Sequence, residues 1–244
     1  MKFAGWIENQ KQMTQKKYKH LFFDIDRTLW DYETNAVETL TDLYHKRNLD
    51  SYGVSLQKYL DEFYYWNDYY WEQFMAGEVS KDTLRDDRFF KTLDALGIQN
   101  RELALTLSAD YIEISPTKTK LFPKVKETLA YLKERYHLHV ITNGFNEVQY
   151  QKLENSGIRH FFERIITSDS VGYRKPHTKI FEFALTSANA RKVESLMIGD
   201  NWDIDILGAR EFGIDQVYFN PHRILHETKA TYEIFQFEEL VNIL

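Results

Sequence analysis

Cysteine is missing from this chain altogether, which excludes disulfides and thiolate metal sites. Proline is almost as scarce: four are scattered through 244 residues, with no Pro/Gly-rich linker, repeat or low-complexity tract. No apolar run approaches the roughly 20 residues that span a bilayer. The Lys- and Gln-rich N-terminus also lacks the apolar segment of a signal peptide. Positive charge is in deficit, with 31 Lys and Arg against 37 Asp and Glu. No basic excess is therefore available to neutralise a nucleic-acid polymer. These absences describe a cytoplasmic chain with no membrane partner, acting on small molecules; a monomer or homodimer is the expected state, which the sequence itself does not decide. Residues 1–17 read as an N-terminal extension, and Met13 offers an alternative start that would leave 1–12 outside the native protein.

What is present begins with Leu21-Phe22-Phe23-Asp24-Ile25-Asp26-Arg27-Thr28-Leu29. An apolar run that stops at two aspartates reads as a buried strand of a parallel sheet. In open α/β sheets, ligands sit just outside the carboxyl ends of the strands. Two carboxylates placed there suit Mg²⁺, with one of them free to act as nucleophile or as acid/base.

From about Thr34 to Ser115 the texture changes to long polar and aromatic periodic segments, predicting helices near 34–48, 55–76, 80–96 and 100–114. Gly77, Gly97 and Pro116 supply the stops. Beyond Pro116 helix and strand alternate. The pattern predicts helices over 124–135, 147–156, 178–189 and 203–212, and strands over 138–142, 165–168, 195–198 and 216–219. Such alternation means βαβ units and a Rossmann-like, doubly wound, mostly parallel sheet. Residues 18–33 and 117–244 thus form one α/β core, interrupted by a helical insert over 34–116 that should sit over the site as a cap. A last amphipathic helix begins at Glu238-Glu239, with Leu240, Ile243 and Leu244 inward.

Four clusters fall at strand ends or just beyond them: Asp24/Asp26/Thr28, Thr142-Asn143-Gly144, Arg174-Lys175-Pro176, and Gly199-Asp200-Asn201-Trp202-Asp203-Ile204-Asp205. Each has an ordinary explanation by itself, as a turn, a chance Lys-Pro pair or a helix cap. Each also has a chemical one. Thr142, Asn143 and Gly144 can present donors to an anion, Lys175 is a fixed point charge, and Asp200 adds a metal ligand.

Taken together, the order and spacing resemble the haloacid dehalogenase superfamily, marked by Asp-x-Asp-x-Thr, a Thr/Ser-Asn pair, a lysine and Gly-Asp-x₄-Asp, with a C1-type helical cap inserted after the first motif. The resemblance covers nearly the whole chain. It implies Mg²⁺-dependent phosphoryl transfer in which Asp24 forms an aspartyl phosphate and Asp26 serves as acid, then base. It implies that Asp24, the main-chain carbonyl of Asp26 and Asp200 hold the metal, while Asp205 orients the metal's waters or Lys175. Thr142 and the Asn143 amide would bind the phosphoryl group, beside Gly144, and Lys175 would neutralise it. Many members carry glycine where this chain has Arg27, whose side chain either points outward or reaches toward the cap and a substrate anion.

The second aspartate separates the branches, because a halide leaving group needs no proton. Asp26 therefore favours phosphatase or phosphomutase chemistry over dehalogenation. The cap residues Trp71, Gly77 and Arg88-Phe89, the run Ser168–Pro176, Ile180-Phe181 and Gly199-Asp200-Asn201 resemble the pyrimidine 5′-nucleotidase branch. The substrate implied is a small phosphorylated metabolite, a nucleoside monophosphate. Alternatives are a sugar-phosphate phosphatase or a phosphomutase of the β-phosphoglucomutase type. The aromatic segment Phe63–Phe74 could stack a base, although helical spacing makes most of its rings core. Arg85 and Arg88 could meet an anion or pair within the cap, and His177 reads as a helix-start residue. A phospho-receiver module would place its aspartate after the third strand of a chain half as long. A silent nucleotide-binding protein would not need every catalytic position filled, and no G-x-G-x-x-G supports a dinucleotide oxidoreductase.

Overall fold

A computed structural model describes residues 18–244. The extension over 1–17, with Met13, lies outside the described residues. In chain order the elements are β1 (His20–Phe23), α1 (Tyr32–Lys46), α2 (Leu56–Ala76), α3 (Lys81–Ala95), α4 (Arg101–Ile114), α5 (Val125–Lys133), β2 (His137–Thr142) and α6 (Asn146–Asn155). Then follow β3 (Arg164–Thr167), α7 (Ser168–Val171), α8 (Thr178–Ala188), β4 (Ser195–Gly199), a π-helical turn (Trp202–Leu207), α9 (Gly208–Phe212), β5 (Asp215–Phe219), β6 (Tyr232–Ile234) and α10 (Leu240–Ile243). No helix among the described residues is long and apolar enough to cross a membrane.

The chain divides into two compact units. One comprises the described residues up to Leu29 with Phe122–Asn146 and His160–Leu244; the other comprises Trp30–Leu121 with Glu147–Arg159. The first unit is an α/β layer structure around one six-stranded sheet of order β3-β2-β1-β4-β5-β6. Every pair in it is parallel. The order reverses at β1, which lies between β2 and β4. This is the switch point of a doubly wound sheet, outside whose carboxyl end ligands bind. The central strand is buried because both of its faces are covered: Leu21, Phe22 and Phe23 expose no surface. On one face Phe22, Ile141, Ile166 and Met197 pack against Ile180, Phe181 and Ala184 of α8.

The second unit is helical. Ser55, Ser80 and Asn100 accept from the backbone N–H three residues on and start α2, α3 and α4, while Gly77, at φ +80°, ends α2. Its core joins Leu40, Leu43, Tyr59, Phe63, Phe89, Leu93, Leu107 and Tyr111. In the aromatic segment Phe63, Asn67, Tyr70 and Phe74 are buried, at i, i+4, i+7 and i+11. Tyr65 and Tyr69 remain exposed, at 64% and 42%. Arg88 is buried, donates to Asn67 Oδ1 at 2.8 Å and lies 4.7 Å from the Tyr111 ring centroid. Arg85 pairs with Asp86 and Asp82. Both arginines are engaged inside the helical unit.

Two sequence readings need revision, and one strand is added. The helix expected over 147–156 as a crossover of the core packs instead with the helical unit. Asn155 Nδ2 donates to Pro116 O at 2.8 Å, Lys152 Nζ lies 4.1 Å from the Trp30 ring, and Lys81 Nζ pairs with Glu147 Oε1 at 3.0 Å. The helix expected over 203–212 opens with a π-helical turn before α9. A sixth strand, β6, extends the sheet beyond β5.

Candidate active site

Three of the four clusters lie directly at the carboxyl ends of β1, β2 and β4, and Arg174-Lys175-Pro176 lies in the connection between α7 and α8. Pairing of β1 continues one residue past the strand, where Asp24 N donates to Ile198 O at 2.9 Å. That contact fixes Asp24 at the carboxyl end of the central strand, with 8% of its surface exposed. Thr28 N then donates to Ile25 O at 3.3 Å and Leu29 N donates to the same oxygen at 2.8 Å. The turn brings Thr28, itself buried, back to the sheet, where its Oγ1 donates to Asp200 Oδ1 at 2.8 Å. Asp26, within this turn, is half-buried.

Lys175 is the cation of the cluster. Its Nζ lies 2.5 Å from Asp24 Oδ1 and 2.7 Å from Asp205 Oδ1, with 1% of the residue exposed. Asn143 holds the lysine's backbone from both sides: Asn143 Nδ2 donates to Lys175 O at 2.9 Å, and Lys175 N donates to Asn143 Oδ1 at 2.8 Å. The Asn143 side chain thus grips the lysine. Beside it Gly144 N donates to Thr142 Oγ1 at 3.1 Å, and Ser168 Oγ donates to Asn143 O at 3.2 Å.

Asp205 is positioned by the π-helical turn. Its Oδ2 accepts from Asn201 N at 3.1 Å, while Asn201 Oδ1 accepts from Ile204 N at 3.0 Å. Asn201, and neither Asp203 nor Asp205, caps this turn. The carboxylate fits only because residue 199 has no side chain: a Cβ on Gly199 would stand 2.4 Å from Asp205 Oδ2. Gly208 serves the same purpose behind the lysine, where a Cβ would come within 2.7 Å of Pro176 Cβ. His177 starts α8, its Nδ1 accepting from Lys179 N at 3.2 Å.

Asp24, Asp200 and Asp205 each offer a carboxylate oxygen within 4.8 Å of the others. Burial pushes the Asp24 carboxyl up to about 7; Lys175 opposes the shift, and the charges of Asp205 and Asp26 add to it. Burial, then Asp24 and Asp205, holds the Asp200 carboxyl well above the usual carboxylate range. Burial opposes protonation of Lys175, yet Asp205 and Asp24 outweigh it and hold the ammonium above its ordinary range. Three crowded carboxylates against one ammonium leave a deficit of positive charge, and all-oxygen donors suit a hard divalent cation. The residues fit a metal.

Sequence reasoning assigned no role to the Thr28–Asp200 bond, to the Asn143 clamp on Lys175, or to Gly208. A threonine inside an acidic motif was the one available signal. The other two depend on contacts between distant segments.

Comparison with known proteins accords with this arrangement. The profile of the haloacid dehalogenase-like hydrolases matches residues 18–213. Pyrimidine 5′-nucleotidase PynA of Streptococcus pneumoniae is 29% identical over 231 residues, covering 93% of this chain and 95% of its own. Glyceraldehyde 3-phosphate phosphatase of Methanothermobacter thermautotrophicus is 32% identical over 206 residues, covering 83% of this chain and 85% of its own. The magnesium-bound crystal structure of the HAD-hydrolase YfnB from Bacillus subtilis superposes with a TM-score of 0.84 at 26% identity, covering 93% of this chain and 98% of that one.

Proposed function

Because the chain belongs to the haloacid dehalogenase-like hydrolase family, we propose that this phosphatase hydrolyses pyrimidine nucleoside 5′-monophosphates with Mg²⁺ through a phosphorylated Asp24. The observation that carries the reading is the buried Asp24 carboxylate at the end of β1, gripped by Lys175 at 2.5 Å and followed two residues later by Asp26.

An Asp24 oxygen forms a bond to phosphorus as the ester P–O bond breaks, and Asp26 delivers a proton to the departing alkoxide. Water then attacks the aspartyl phosphate while Asp26 takes its proton, releasing inorganic phosphate and restoring Asp24. Lys175 keeps Asp24 oriented and opposes its protonation, and offsets charge as the phosphoryl group transfers. Thr142 and the Asn143 main-chain amide, at the carboxyl end of β2, would bind phosphoryl oxygens. Asp24, Asp200 and the Asp26 carbonyl would hold Mg²⁺, with Asp205 behind them; the bound ion supplies electrophilic charge at the phosphoryl oxygens.

Similarity to the streptococcal nucleotidase over nearly the full length of both chains supports the pyrimidine nucleotide. A second reading, a sugar-phosphate phosphatase, rests on the 32% identity to a glyceraldehyde 3-phosphate phosphatase. Acid quench during turnover of ³²P-labelled UMP, followed by peptide mass spectrometry, tests the chemistry. Label on the peptide containing Asp24, lost in Asp24→Asn, is the expected result. Turnover without protein-bound label overturns the covalent route.

A further inference from the structure

Two points of the chain flank Asp200, and one side chain reaches both. Before Asp200 stands Gly199, the last residue of β4, whose register partner is Tyr218 of β5. Two residues after it comes Trp202, the first residue of the π-helical turn that carries Asp205. His226 belongs to the connection between β5 and β6. Its Nε2 lies 3.1 Å from Tyr218 Oη. Its ring stacks on Trp202, with 4.0 Å between centroids and 7° between planes. Tyr218 meets Trp202 edge-on, at 5.2 Å and 75°. The three rings close on one another.

That connection is itself tied down. Buried Asn220 accepts from Ile224 N at 2.9 Å, and its Nδ2 donates to Ile224 O at 2.8 Å and to Glu233 Oε1 at 2.7 Å. Further along, Arg210 donates to Thr228 Oγ1 at 3.2 Å and to Lys229 O, and its Cζ lies 5.7 Å from the Trp202 ring centroid. The connection is thus a strap held at both ends, with His226 between the ties. Thr28 holds the Asp200 carboxylate directly; the strap braces the backbone on either side of it. A metal ligand that is already in place loses less conformational freedom when the ion binds, so a group that never touches the ion can raise affinity.

We propose that His226 is a positioning residue for the metal site: stacked on Trp202 and bonded to Tyr218, it fixes the segment that presents Asp200 to Mg²⁺. The proposal rests on the reading of Asp200 as a metal ligand. Full-length wild type, His226→Ala, Trp202→Leu and the double variant are titrated with Mg²⁺ by calorimetry without substrate. KM and kcat are then measured at limiting and at saturating Mg²⁺. Each single variant should raise the Mg²⁺ Kd about fivefold, the share of one aromatic stack. The double variant should bind little worse than either, because both substitutions remove the same stack. Phosphate release should fall at limiting Mg²⁺ and recover at saturation, with KM for the ester unchanged. His226→Phe, which keeps a ring on Trp202, should regain most of the affinity.

A His226→Ala protein with the wild-type Mg²⁺ Kd overturns the proposal whatever its Tm, since the strap would then serve the fold alone. Fully additive losses in the double variant overturn it as well, because the two rings would then act separately. A wild type that takes up no Mg²⁺ overturns it together with the metal reading. A wild type that binds Mg²⁺ yet releases no phosphate contradicts the phosphatase reading instead, and the comparison of Kd values still decides His226.

Discussion

Lys175 and Asp24 meet at 2.5 Å although 151 residues separate them. The lysine reaches Asp205 equally well, at 2.7 Å. One ammonium therefore holds both the candidate nucleophile and an aspartate from the opposite side of the cluster. Their mutual attraction offsets part of the cost of burying charge where water scarcely enters, and a buried pair of this kind is costly to break from one side.

Removing the cation should expose that cost. Lys175→Met leaves Asp24 and Asp205 buried without their counter-charge, and should lose about 3–5 kcal/mol of stability. Added Mg²⁺ should restore part of the loss by supplying charge to the same carboxylates. Urea unfolding with and without Mg²⁺ measures both effects. A variant as stable as wild type in EDTA would show that the ion pair contributes nothing to the fold.

Gly199 is predicted to tolerate no side chain. Gly199→Ala places a methyl group 2.4 Å from Asp205 Oδ2, so Asp205 must leave Lys175 or the turn must shift. Phosphate release should fall at least about tenfold, with a stability loss of about 1–3 kcal/mol. Wild-type kinetics in this variant would mean that the position of Asp205 is unimportant.

Metal binding should be visible without turnover. On the proposed reading the carboxylate cluster holds Mg²⁺ in the folded chain and has no counterpart in the unfolded one. At about one hundred times Kd, the ion should raise Tm by about 5–10 °C over EDTA. Asp200→Asn should remove most of that shift, and a full shift in the variant would disqualify Asp200 as a ligand.

At the opposite end of the sheet, histidines make folding pH-dependent. His20 Nδ1 and His139 Nε2 lie 3.1 Å apart, with His137 stacked on His20 and Glu163, Glu194, Lys19 and Arg164 around them. Burial, then the charge of His20, lowers His139 to about 4; burial, then His137, lowers His20. Both folded values lie below the unfolded one, so the unfolded chain binds more protons. The contribution is complete above about pH 6.5 and is lost as pH falls toward about 4, by about 2–3 kcal/mol for His139. Tm measured from pH 7.5 to 4.5 should fall more steeply for wild type than for His139→Phe. Parallel curves would refute the assignment.

Much of this arrangement is legible in the chain because local chemistry sets it. Apolar runs that stop at Asp24, Thr142 and Gly199 mark strand ends, and Ser55 and Gly77 bound a helix expected over 55–76 and found over Leu56–Ala76. Elements that depend on distant partners are not legible. Tyr232–Ile234 is three residues long and becomes a strand only by pairing with β5. The side that α6 joins is set by Trp30, Lys81 and Pro116, and nothing in its own sequence states that. The reciprocal bonds between Asn143 and Lys175 likewise have no local signature, so an asparagine read as an anion donor proves to have its side chain on a backbone.

The most direct measurement is phosphate release by Mg²⁺-loaded wild type and Asp24→Asn from UMP, dUMP, dTMP and glyceraldehyde 3-phosphate, each with and without EDTA. The expected result is release that favours the pyrimidine nucleotides, stops with EDTA and is absent from a folded Asp24→Asn. Wild-type release by that variant, or none from any ester by the wild type, would contradict it.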